Sequence, residues 1–375
     1  MRVAILGAGP AGLYLAYLIK RRDPGADVRV FEQNSADATF GFGVVFSDRA
    51  LEFLNEDDPQ TYAAIVPHLE SWTDITVVHR GERVRIDGIG FAAIGRLKLL
   101  QLLQARARSV GVEPSYRRAV ADLSEVGEAD LIVGADGVNS LVRRTHEAAF
   151  GATITYLTNR FAWFGTTKPF ETLTQTFRRN DLGDFNAHHY RYAPAMSTFI
   201  VEVAEATFQR AGFERMSEAE SAALCARVFA DDLEGHALVC NHSVWRRFPL
   251  VRNACWRHGR CVLIGDALHT AHFSIGSGTR FAMEDAIALD RALAAHAADV
   301  PAALAAFEAA RRPILEKLVA AANASGAWYE RFADHMALKP LDFAMSYLTR
   351  SGRIDPERLR QSSPRFAERY ASRMG

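Results

Sequence analysis

Residues 2–6 (Arg-Val-Ala-Ile-Leu) form an apolar run after one charge, residues 7–12 read Gly-Ala-Gly-Pro-Ala-Gly, and apolar positions then recur with helical spacing to about Arg22. A second run at 27–32 (Asp-Val-Arg-Val-Phe-Glu) ends in an acid. This is the pattern of a strand–helix–strand unit. Further strands are expected at 75–79, 83–87, 130–134 and 261–265, and a helix at 96–110. From about 152 to 205 the texture becomes β-rich, with Phe161-Ala-Trp-Phe, Asn186-Ala-His-His-Tyr and Ser197-Thr-Phe-Ile-Val-Glu. Helices are expected at 217–230, opened by Ser217 with Glu220 as a capping box, at 278–298, at 301–335 and at 355–373, with Pro301, Pro340 and Pro356 as punctuation.

The strands at 130 and 261 resemble those at 2 and 27, so the first domain is expected to be discontinuous, with the β-rich part inserted in it. The division reads as 1–75, 95–150 and 255–300 for the first domain, 76–94 and 151–254 for the β-rich one, and 301–375 for a helical C-terminal region. The fold class is α/β, with a Rossmann-like domain, an inserted mostly antiparallel sheet and a helical C-terminus.

Composition narrows the partners. The 375 residues include 44 basic and 44 acidic ones, 49% are hydrophobic, and no long basic block occurs. Such a chain is globular, and neither nucleic acid nor an anionic membrane is an expected partner. Only five of the cations are lysines, so anion recognition falls to arginine. Cys225, Cys240, Cys255 and Cys261 show no CxxC spacing and read as reduced thiols. The apolar N-terminus is broken by Gly7, Gly9 and Gly12, a poor targeting signal. A soluble, cytoplasmic protein is expected.

Three motifs carry chemistry. Gly7, Gly9 and Gly12 between a strand and a helix allow backbone to approach a pyrophosphate at the helix N-terminus. Glu32, 20 residues after Gly12, is placed to accept from an adenosine ribose. The second motif is Gly134-Ala-Asp-Gly-Val-Asn-Ser140 with Arg143, and the third is Gly265-Asp-Ala-Leu-His269 followed by Ile275-Gly-Ser-Gly-Thr279. No second strand-preceded GxGxxG occurs. Metal binding by the adjacent His188 and His189 is not expected, because neighbouring strand residues face opposite ways.

In this order and spacing the three motifs resemble the single-component FAD-dependent aromatic hydroxylases, the class typified by para-hydroxybenzoate hydroxylase, whose FAD domain is of the GR2 type. The segments Thr39-Phe-Gly-Phe-Gly-Val-Val-Phe-Ser-Asp48, Phe164-Gly-Thr-Thr167 and Ala271-His-Phe-Ser-Ile-Gly-Ser-Gly-Thr279 are similar to the salicylyl-CoA 5-hydroxylases, the 2-aminobenzoyl-CoA monooxygenases and the tryptophan-derived hydroxylases of violacein synthesis. The resemblance implies FAD held by Gly7, Gly9, Gly12, Glu32, Arg96, Asp136, Gly137, Asp266, Gly276 and Gly278. It places Val44 and Val45 against the flavin, with Gly43 letting backbone approach the ring. NADH or NADPH is implied as a transient reductant, and O2 and an aromatic substrate in the form of a CoA thioester as the other reactants. Hydroxylation would run through a flavin C4a-hydroperoxide, with salicylyl-CoA to gentisyl-CoA as the leading reaction. The alternatives are 2-aminobenzoyl-CoA, a tryptophan-derived indole, or a non-catalytic FAD-binding protein. The expected proton-handling residues are His188, Tyr190 and His272, while Trp163 and Phe164 are expected to pack the sheet. The assembly is expected to be a monomer or homodimer.

Overall fold

Apolar runs bounded by glycine turns build the centre of the nucleotide domain. The computed structural model describes residues 1–47, 51–297 and 299–373; Asp48 of the 39–48 segment, Ala298 of the expected 278–298 helix and the last two residues of the 301–375 region lie outside them. Strand Arg2–Leu6 lies parallel between Asp27–Phe31 and Leu131–Gly134; Cys261–Leu263 follows, also parallel, and the short Arg257–His258 closes that edge antiparallel. Leu131–Gly134 and Cys261–Leu263 are buried at every position, as strands covered on both faces must be. Helix Pro10–Arg22, with proline in its first turn, packs against helix Gly278–Ala295.

The second sheet runs in the order Leu238–Val239, Ala152–Thr166, Met196–Val203, Gly183–Ala193, Leu173–Asn180, Ile75–His79, Glu82–Ile86, and Arg246–Asn253 also pairs with Ala152–Thr166. Its pairs are antiparallel except Leu173–Asn180 with Ile75–His79. Period-two alternation divides the side chains. Phe164, Phe185, Phe199 and Val201 form one core with Phe208, Phe213 and Phe229 on the outer face. The residues between them, His188, Tyr190 and Ile200, turn toward the nucleotide domain and line the cleft.

A third sheet joins the two parts: Phe91–Gly95 pairs antiparallel with both Gly43–Ser47 and Glu70–Trp72. The expectation that 76–94 belongs wholly to the β-rich part is therefore corrected for residues 91–94. Their apolar, β-branched-poor sequence gives no hint of which sheet they join, because that is settled by pairing to distant segments.

The expected 301–335 helix is helix Val300–Tyr329 followed by a short helix Phe332–His335. Helices Pro340–Thr349, Pro356–Ser362 and Pro364–Ser372 follow, each with proline in its first turn. Trp328, Tyr329, Phe343 and Tyr347 pack this region onto the second sheet beside Phe177. Asp87 Oδ1 fixes the end of the chain by accepting from the backbone N–H of Phe366 at 2.9 Å. Among the described residues no helix is long and apolar enough to cross a membrane.

Candidate active site

A cleft of about 990 Å³ runs from the glycine turn to the inner face of the second sheet. That volume is at the upper end of ordinary ligand sites, room for a large cofactor together with a small substrate.

At its nucleotide end Gly7 has φ +100°, and a Cβ there would collide with the carbonyl of Ala135. Glu32 locks the turn: Oε2 accepts from Ala8 N at 2.9 Å and Oε1 from Asn34 N at 2.8 Å, leaving further lone pairs toward the cleft. Gly12 does not line the cleft. A Cβ at that position would run into the Gly7 carbonyl, so Gly12 serves the close packing of helix on turn, a correction to its expected part in holding the ligand.

Asp136 Oδ2 accepts from Leu141 N at 2.6 Å, while Oδ1 is buried without a partner among the described residues and burial raises the carboxyl above its ordinary range. Arg143 is a strut, donating to the Ala267 carbonyl at 2.8 Å and so tying the second motif to the third. Asp266 lies open to the cleft yet enclosed by protein; that desolvation raises its carboxyl, partly offset by His269 and Arg96. Behind it Asp285 accepts from Gly265 N at 3.1 Å and Arg311 Nε at 2.9 Å, and hydrogen-bonds His269 Nε2 at 2.7 Å. Burial opposes its charge, but His269 and Arg311 hold it below the usual carboxylate range. His269 is committed to fixing this turn.

Arg96 opens helix Arg96–Ser109 and lines the cleft; burial lowers its pKa and Asp266 is the acid that opposes this. Opposite, Gly276, Ser277 and Gly278 present the N-terminus of the 18-residue helix Gly278–Ala295, the positive end of its dipole. A Cβ on Gly276 would come within 2.9 Å of Val45 Cγ1, so this loop is seated directly on the Gly43–Ser47 strand.

Several expectations at the substrate end are corrected. Gly43 does not line the cleft; a Cβ there would press on Tyr192 and Thr198, so its smallness serves sheet packing rather than approach to a ring. His272 does not line it either. Its Nδ1 hydrogen-bonds Ser274 Oγ at 2.8 Å, and its ring packs on Phe248 and Phe273 and lies beside Tyr329, which makes it the cap of the turn Phe273–Ile275. Tyr190 lines the cleft, but its hydroxyl donates to the Gly43 carbonyl at 3.0 Å and burial raises its pKa, so it is a strut rather than a proton carrier. Phe164 packs the outer core as expected, whereas Trp163, expected to pack the sheet as well, lines the cleft beside Phe273.

His188 does face the cleft, and His189 turns away to stack on Phe199 and hydrogen-bond Thr176. Strand register places His188, Ile200 and Trp163 in one row across three strands. Both ring nitrogens of His188 and Nε1 of Trp163 are buried without a partner among the described residues. Burial and then Arg350 lower the His188 pKa to about 3, so the ring is a neutral imidazole.

The nucleotide half fits FAD: a glycine cradle, unspent acceptors on Glu32 and Asp136, an arginine without a carboxylate hydrogen bond among the described residues, and a helix N-terminus at the far end. Gly7, Gly9, Glu32, Asp136, Asp266, Arg96 and Gly276–Gly278 are the residues that would hold it.

Comparison with known proteins agrees. Residues 99–322 match the FAD binding domain family, and residues 5–38 the NAD(P)-binding Rossmann-like domain family. The chain is 43% identical to a salicyloyl-CoA 5-hydroxylase of a Streptomyces species, over 94% of this chain and 70% of that protein. It is 35% identical to the 3-hydroxy-4-methyl-anthranilyl-[aryl-carrier protein] 5-monooxygenase of Streptosporangium sibiricum, over 94% and 95%. It is 33% identical to the protodeoxyviolaceinate monooxygenase of Chromobacterium violaceum, over 95% and 96%. Among solved structures, 2-methyl-3-hydroxypyridine-5-carboxylic acid oxygenase superposes with a TM-score of 0.72 at 20% identity, covering 96% of both chains. The chain belongs to the family of FAD-dependent aromatic monooxygenases.

Proposed function

We propose that the protein hydroxylates an aromatic acyl thioester, salicylyl-CoA at ring position 5, with NAD(P)H and O2. The observation that carries this reading is the His188–Ile200–Trp163 row. Neighbouring strands lie about 4.8 Å apart, so the backbones carrying the imidazole and the indole are roughly 10 Å apart with Ile200 between them, and the two side chains reach into the same cleft. A neutral imidazole can accept from a phenolic hydroxyl, and the indole can only donate, which suits a thioester carbonyl. An ortho-hydroxy acyl ring offers that pair.

Bound FAD would take reducing equivalents from NAD(P)H and deliver one oxygen atom of O2 to the ring. The protein orients the ring over Ile200 and walls it with Phe161 and Phe273, which also line the cleft. His188 draws on the phenolic proton and enriches the ring position para to it. Support for a coenzyme A tail comes from the cleft rim, where Arg144 and Arg246 have no acidic partner among the described residues and Tyr156 is 58% exposed. Two relatives carry names in which the aromatic acyl group is borne by CoA or by a carrier protein. With four free thiols we place the protein in a reducing compartment, the cytoplasm, as a monomer or homodimer.

The test is substrate-stimulated NAD(P)H oxidation with salicylyl-CoA, salicylate, 2-aminobenzoyl-CoA and an indole, with mass analysis of the product. Stimulation by salicylyl-CoA with gain of one oxygen atom is expected. Stimulation by the free acid or the indole alone would overturn the thioester assignment.

A further inference from the structure

Behind His188 lies a polar patch that the reaction as described does not use. Gln175 stands opposite His188 in the sheet; Asn186, two residues earlier on the His188 strand, stands opposite Glu202. Asn159 Nδ2, one strand further, donates to Glu202 Oε1 at 2.9 Å. All five side chains are at most 4% exposed. Of the eighteen buried side-chain nitrogen and oxygen atoms without a partner among the described residues, six belong to this patch: Asn159 Oδ1, Gln175 Nε2, Asn186 Oδ1, both ring nitrogens of His188, and Glu202 Oε2.

An unmet buried polar atom costs about 1–3 kcal/mol, so six in one patch mark a place built for water. A buried water makes about three hydrogen bonds to such groups. Asn186 Nδ2 already donates to Gln175 Oε1 at 3.3 Å, so what is left for water is the other end of each amide, the His188 ring and Glu202 Oε2, carried on Cβ atoms about 5–8 Å apart. At the outer end Glu330 Oε1 accepts from Asn159 N at 2.8 Å and Oε2 from Thr158 N at 2.6 Å, and Thr158 is exposed.

We propose that Glu202 is the proton-exchanging residue of a hydrated relay that begins at His188 in the cleft and opens to solvent at Glu330. The inference rests on the hydroxylation reading above. The substrate O–H bond breaks as an N–H bond forms on His188; the other ring nitrogen passes its proton to the adjoining water. The Glu202 carboxyl takes up a proton on that side and releases its own toward Glu330. One proton leaves the substrate, one reaches solvent, and no electrons change hands.

The surroundings suit this. Tyr329, on the long helix, closes the patch by donating to Gln175 Oε1 at 3.0 Å; His189, Tyr190, His272 and Arg350 are the titratable or charged groups beside His188, and Glu330 and Tyr329 those beside Glu202. Burial favours the uncharged form of each partner: it keeps His188 neutral and raises Glu202 to about 8, so the carboxyl rests protonated. A proton arriving on His188 has no stable seat there and moves on.

Infrared spectra of the FAD-loaded protein, recorded across about pH 6–10 without substrate, are expected to show a protonated carboxyl band that titrates near the Glu202 value and is absent in Glu202→Gln. With substrate, Glu202→Gln is expected to lower the product formed per NAD(P)H at least about tenfold with flavin content and substrate KM unchanged, and Glu202→Asp to recover part of it. Should Glu202→Gln fold poorly, the surface variant Glu330→Gln carries the test: the band should titrate at lower pH and coupling should fall. A wild-type protein without a titrating carboxyl band, or a Glu330→Gln protein with unaltered titration and coupling, overturns the relay. The infrared arm needs no substrate, so a wrong substrate assignment leaves it intact.

Discussion

Arg350 reaches from the end of helix Pro340–Thr349 and donates through Nη2 to the Ser274 carbonyl at 2.9 Å. The same guanidinium donates through Nε to Ser325 Oγ at 3.0 Å, and Ser325 in turn hydrogen-bonds Ser274 Oγ at 2.7 Å. A residue far along the chain therefore grips the turn that leads into Gly276 and the helix N-terminus. Hydrogen bonds from charged groups contribute about 1.5–3 kcal/mol, so Arg350→Ala should weaken FAD retention about tenfold to a hundredfold, read by flavin fluorescence titration. Arg350→Lys should not restore it, since an ammonium cannot span two acceptors as a planar fork does. Wild-type affinity in Arg350→Ala would remove the grip from the cofactor site.

Asp266 lines the cleft with its side chain accessible, and desolvation by the surrounding protein raises its carboxyl, a state that hydroxyl donors on a bound ligand would relieve. Asp266→Ala is expected to purify with about a tenth or less of the wild-type flavin. A fully loaded, equally active variant contradicts that role.

Trp163→Phe keeps the ring wall and deletes the unpartnered indole N–H. The expected outcome is a rise of about five- to tenfold in KM for the thioester with substrate-free NAD(P)H oxidation unchanged. An unaltered KM would mean that the carbonyl is held elsewhere.

His188→Ala should retain FAD and still oxidise NAD(P)H when substrate binds, but release peroxide in place of hydroxylated product. A drop in product per NAD(P)H of about a hundredfold or more is the scale for losing a proton-handling group. Full coupling would leave His188 as part of the wall only.

Stability should depend on pH from two directions. His188 and His272 are held neutral, with pKa values of about 3 against an ordinary 6.5, so the unfolded chain binds protons that the folded one refuses. Their share of stability is present above pH 6.5 and lost as pH falls toward 3. Glu202, raised from 4.5 to about 8, acts in the opposite sense: its share is present below 4.5 and lost as pH rises toward 8. Thermal scans of Glu202→Gln should therefore gain a few degrees in Tm relative to wild type between about pH 5 and pH 8. A constant offset would show that Glu202 does not titrate in that window.

The nucleotide half was legible in the sequence because each motif is short and local: a strand, a turn and a helix start fix the positions of Gly7, Asp136 and Asp266 within a few residues. The substrate half was legible only as parity. Alternation correctly sends His188 and His189 to opposite faces, yet it does not reveal that Tyr190 spends its hydroxyl on Gly43 or that His272 caps its own turn, since those partners are set by tertiary contact. Alternation also separates Trp163 from Phe164, so the expectation that both pack the sheet holds for Phe164 alone. Glu202 left one trace, an acid at the heart of the apolar run Ser197-Thr-Phe-Ile-Val-Glu-Val, and its meaning depends on neighbours from three other segments. Arg350 left none, because a single arginine in a helical stretch is unremarked until its partner loop is known.

The grip of Arg350 on Ser274 also ties a late-translated helix to a turn made earlier. Chains fold from the N-terminus as they leave the ribosome. The parallel sheet made by residues 2–31 and 131–134 can assemble while the 340–349 helix is still untranslated, but the turn at 273–276 gains its clamp only after residue 350 has emerged. A chain cut before residue 340 would keep the strands of the parallel sheet but lack this clamp on the 273–276 turn, and is expected to hold flavin more weakly than the full chain.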